Sequence, residues 1–166
     1  ISLAVATRVG NLVGARDYRA AQLSAWVAFG LAAAWMSLSA LVFVIWRQDL
    51  PLIYNEDPGV ALLVAGILPI AAAFQLFDGL QVVGGGILRG MGRTRPAALF
   101  HLVGFYALGL PLAWWLTFER GLGLPGLWWG LALALFVIAL AFLAWIARRG
   151  PLHLGPARLG PGGGLP

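Results

Sequence analysis

The chain has 166 residues, of which 61% are hydrophobic and only 10% charged, with a mean hydropathy of +0.88. A soluble domain carries about 25% charge, so this composition describes an integral membrane protein with no room for a sizeable soluble domain. The net charge of +5 comes from eleven arginines, with no lysine, against six acids; the arginines cluster between apolar runs, which orients helices and does not describe a nucleic-acid surface. No cysteine is present, which excludes disulfides and thiolate metal sites, and the histidines and acids show no metal-ligand spacing. No cofactor is expected.

Residues 1–7 open on an apolar phrase, ISLAVA, without a charged leader, and read as the last turns of a helix begun upstream. Residues 8–19 form a polar connector with glycines at 10 and 14 and a local charge of +2. The first complete span is expected over 20–46; its Ala32, Ala33, Ala34 and Ser37 suit close helix packing. Trp26 and Trp46 lie towards its ends, as interfacial tryptophans do, and Trp35, near its middle, is expected to pack. RQDLPLIYNEDPG comes next, at −2.

The second span, 60–88, exceeds the roughly 20 residues a bilayer requires. Pro69 removes a backbone donor and is expected to bend it, while Gly84, Gly85 and Gly86 invite either close approach by a neighbour or local unwinding. RGMGRTRP then carries +3. The third span, 97–118, contains His101, Tyr106 and Pro111, the last a second expected bend; after a neutral turn, the fourth runs over 127–146. Residues 148–166, rich in proline and glycine, are expected to be a disordered tail. The connectors and tail carry three, one, three, one and three arginines. The positive-inside rule therefore puts 8–19, 89–96 and the carboxy terminus in the cytoplasm.

One charge falls inside a span. Asp78 lies ten residues before Leu88, about 15 Å along a helix and half of a roughly 30 Å hydrocarbon core. An ionisable group at that depth is a functional candidate by default, although a purely structural carboxylate satisfied by a buried partner is the competing reading. A low-dielectric surrounding favours a protonated carboxyl and a bound cation favours the charged form, so the two occupancies compete, as antiport requires. Gln75 and Gln81 flank Asp78 at helical spacing and are equally suited to contacting a ligand or to bonding other helices. His101 reads first as an interfacial or packing residue and second as a proton relay. Tyr106 and Trp114 read first as lipid-facing aromatics and second as the lining of a cavity for flat cationic ligands. Arg89, Arg93 and Arg95 read as orienting charges and lipid headgroup contacts.

RVGNLVGARD at 8–17, DGLQVVGGGILRGMGRTR at 78–95, and FYALGLPLAWWLTF followed by GLGLPGLWWG resemble the multidrug and toxic compound extrusion (MATE) family. The resemblance implies an all-α polytopic fold of twelve helices in two bundles of six. This chain would supply the end of the eighth helix and four complete transmembrane helices, most of the carboxy-terminal bundle. It implies a non-enzymatic secondary antiporter of the plasma (inner) membrane, exporting small organic cations or drugs in exchange for H⁺ or Na⁺. Its partners would be membrane lipids and an amino-terminal bundle of the same chain, with no nucleic acid. Asp78 matches the family's cation-coupling acid, the site of any Na⁺. Phe74 stands four residues earlier, where several relatives carry tyrosine. The alternatives weighed are a lipid-linked oligosaccharide flippase of related two-bundle fold, a lipid-acting membrane enzyme, and a non-transporting membrane scaffold.

Overall fold

In the computed structural model, which describes residues 1–55 and 57–155, the chain is all-helical. Helix α1 spans Ser2–Gly14 and α2 spans Tyr18–Ile45. A short 3₁₀ turn, Leu50–Ile53, leads to α3, Pro58–Gly90. The third spanning helix, Thr94–Glu119, is composite. It begins as α4, Thr94–His101, passes through a π-helical stretch, Leu102–Gly109, returns to α5, Leu110–Trp114, and ends in a second π stretch, Trp115–Glu119. Helix α6 spans Gly123–Arg149 and is followed by a 3₁₀ turn, Pro151–Leu154. Among the described residues four helices, counting the composite one as a single helix, are long and apolar enough to cross a membrane.

Local chemistry sets the ends. Asp17 caps α2 by accepting from the Ala20 amide at 3.1 Å. Asp57 caps α3 by accepting from Gly59 and Val60, with Pro58 at the first helical position, where its missing N–H costs nothing. At the far end of α3 the Gly92 amide bonds the Arg89 carbonyl and the Arg93 amide bonds that of Leu88, a Schellman closure that places Gly92 at φ +70°. The same closure ends α1, but with Arg16, φ +61°, in the left-handed position.

Helix α3 is central, packing against α1, α2 and α6. Val5 and Val9, Ala25 and Phe29, Ile87 and Leu88, and Leu135, Ile138 and Phe142 form the shared core. The glycine triplet belongs to the buried side of α3, which is continuous there, so the triplet serves close approach and is not unwound. A Cβ on Gly84 would stand 2.6 Å from the Phe142 side chain, and one on Gly86 2.6 Å from the Ser2 carbonyl oxygen.

Three expectations are corrected. The first helix does not end at residue 7 but continues to Gly14, where Gly10 faces Gly90 of α3 and lets the two backbones cross closely. The start of the expected disordered tail is ordered: α6 runs to Arg149, Pro151 is buried, and the Leu152 amide donates to Gln22 Oε1 at 3.3 Å. Residues 156–166 lie outside the described residues. Trp35, expected to pack, is 65% exposed on α2.

Candidate functional site

Asp78 lies twelve residues, about 18 Å, from the Gly90 end of α3. It is half-buried, and its Oδ1 accepts a hydrogen bond from Gln81 Nε2 at 2.9 Å. The spacing of three residues brings the two side chains together on one helix face. Gln81 is only 6% exposed, and its Oε1 is hydrogen-bonded to His101 Nε2 on α4. The polar groups form one line, carboxylate to amide to imidazole, crossing from α3 to the third spanning helix. Phe105 stacks on the His101 ring and Phe142 of α6 lies 5.4 Å from it, so the far end of the line is walled by aromatics.

The other sequence candidates separate from this line. Gln75 turns away and donates to the Met36 carbonyl of α2 at 3.2 Å, bonding another helix. Phe74 packs edge-on against Trp128 at 5.5 Å and Phe77 against Phe136 at 5.0 Å. Pro69 lies nine residues, about 13 Å, before Asp78, inside a helix that continues through it. Pro111 stands at the start of α5, between the two π-helical stretches, and is exposed. Gly85 borders the line: a Cβ there would meet Arg89 Nη1 at 3.5 Å and His101 Cε1 at 3.8 Å, both ordinary contacts. Arg89 donates to Ser2 Oγ at 3.1 Å, and Ser2 Oγ donates to the Val82 carbonyl at 2.8 Å. Tyr106 and Trp114 are 68% and 55% exposed and take no part.

His101, for which the sequence favours an interfacial or packing role over a proton relay, is thus brought into the site. The signal for it is arithmetic. Gln81 lies nine residues before the end of α3 and His101 seven after the start of α4, so an antiparallel pair puts them at similar depth, about 10–14 Å from the turn.

Long apolar helices packed through glycine and alanine, with one carboxylate held deep among them, define a polytopic α-helical membrane protein with a polar site between helices. The MatE family profile matches residues 1–115. The chain is 43% identical over 150 residues to multidrug resistance protein NorM of Burkholderia vietnamiensis, covering 87% of this chain and 32% of that protein. It is 32% identical over 147 residues to human multidrug and toxin extrusion protein 1, covering 89% of this chain and 26% of that one. The crystal structure of the eukaryotic MATE transporter AtDTX14 superposes with a TM-score of 0.84 at 23% identity, over 90% of this chain and 34% of that chain. The chain therefore belongs to the MatE family, and spans about a third or less of the length of these relatives.

Proposed function

We propose that the chain works as most of the carboxy-terminal bundle of a secondary antiporter, with Asp78 as its cation-coupling group. The transporter exports small organic cations or drugs in exchange for H⁺ or Na⁺ and resides in the plasma membrane, its carboxy terminus cytoplasmic. A second bundle of the same protein completes the substrate path, and membrane lipids cover the outward apolar faces. The relatives named for multidrug resistance and for multidrug and toxin extrusion support the transport reading.

The observation that carries the assignment to Asp78 is its partner. Among the described residues a neutral amide, not a guanidinium, meets the carboxylate, so its charge is left for an exchangeable cation to neutralise. Gln81 shares in the site, while Gln75 and Phe74 support it by packing. Pro69 and Pro111 bend the second and third spans as the bundles alternate, and Gly84 and Gly86 keep α3 close to its neighbours. The test uses the full-length protein in vesicles, with export of a fluorescent organic cation followed under an imposed H⁺ gradient and then a Na⁺ gradient. D78N is expected to insert normally and to lose gradient-driven export, and the effective gradient names the ion. Wild-type export by D78N would make the carboxylate structural.

A further inference from the structure

We propose that His101 is a positioning residue for Asp78, and that the Gln81 amide carries the state of the carboxylate to the third spanning helix. The proposal rests on the coupling role of Asp78. The geometry supplies the reason. A primary amide has one donor end and one acceptor end, so the buried Gln81 side chain has two useful orientations. In the one present, Nε2 faces Asp78 and Oε1 faces His101. A carboxylate accepts and cannot donate, so it selects this orientation, and Oε1 then requires a donor from elsewhere. His101 serves as that donor in the tautomer with its hydrogen on Nε2, and without the ring a buried acceptor is left unsatisfied.

Occupancy of Asp78 reverses the preference. A bound Na⁺ is served by an oxygen and opposed by an N–H, and a proton turns one carboxyl oxygen into an O–H donor that the amide oxygen can accept. The amide then gains by rotating, which aims its N–H groups at Nε2, and the ring keeps the contact only by carrying its hydrogen on Nδ1 instead. The helix just beyond His101 is suited to respond, because the π-helical stretch starts at Leu102, and such turns are common at functional sites. Among the described residues the charged group beside the ring is Arg89, held by Ser2 on α1.

The test again uses the full-length protein in vesicles, comparing H101L, which removes the donor, with H101Q, whose amide N–H restores one. The expected result is a fall in coupled export of about tenfold for H101L, the scale of one lost hydrogen bond, with KM for the organic cation nearly unchanged. H101Q is expected to recover most of the rate. If H101L does not insert, Q81M breaks the same link from the other side and is expected to show the same loss. Wild-type coupled export by H101L or Q81M, or an H101Q no better than H101L, overturns the proposal. D78N separates the two readings. Its loss of export alongside an unaffected H101L removes the role of His101 alone, whereas its full export removes the coupling role of Asp78 and this proposal together.

Discussion

Gly84 and Gly85 are adjacent and identical in sequence, yet the structure assigns them different tolerances. A methyl group on Gly84 would fall 2.6 Å from Cβ and Cγ of Phe142, whereas on Gly85 the nearest atom would be 3.5 Å away. Gly84→Ala is therefore expected to cost about 1–3 kcal/mol through overpacking of α3 against α6. Gly85→Ala is expected to be close to neutral, since alanine favours the helix and meets only ordinary contacts. Unfolding of the full-length protein in detergent measures both, and pairing Gly84→Ala with Phe142→Ala should relieve part of the strain. Equal effects at the two positions would contradict this packing. At this scale the sequence marks Asp78 as special but does not say which groups meet it. The run GGG fits either packing or unwinding, and only the position of Phe142 on another helix separates them. Gln75 and Gln81 likewise look equivalent beside Asp78, and one helical register sends Gln75 to α2 and Gln81 to His101.

Elements were more legible than residues, because apolar runs broken by charge clusters are what spanning helices require. Their ends were less so. The Schellman closure of α3 uses Gly92, a recognisable signal, but that of α1 uses Arg16, which no pattern of glycines announces. Gly92→Ala is expected to destabilise by about 1–2 kcal/mol, the usual cost of holding an L-residue left-handed. Gly92→Asn, which tolerates that conformation better, should cost less. Thermal unfolding of the two variants orders them, and an alanine variant as stable as wild type would mean that the α3–α4 turn is formed differently. The π-helical stretches were not legible at all. Hydropathy records which residues are apolar and is silent on whether an amide bonds four or five residues back. Pro111, which lacks that amide, marks the region without defining its register.

For the whole molecule, arginine distribution and helix count make a joint claim about orientation. Four spanning helices put successive connectors on alternate sides, and the arginine-rich ones are 8–19, 89–96 and the tail. If the positive-inside rule governs, Asn55 lies outside the cell, while Thr94 and Leu152 lie inside. The chain has no cysteine of its own, so single cysteines can report this directly once any elsewhere in the full-length protein are replaced. N55C is expected to react with a membrane-impermeant maleimide in intact cells; T94C and L152C should react only after permeabilisation. The reverse pattern would invert the bundle and place the carboxy terminus outside. Reaction of N55C and T94C from the same side would instead mean that α3 does not cross the membrane. In that case Asp78 would not lie at mid-depth, and its carboxylate would escape the cost of burial in hydrocarbon that marks it as functional.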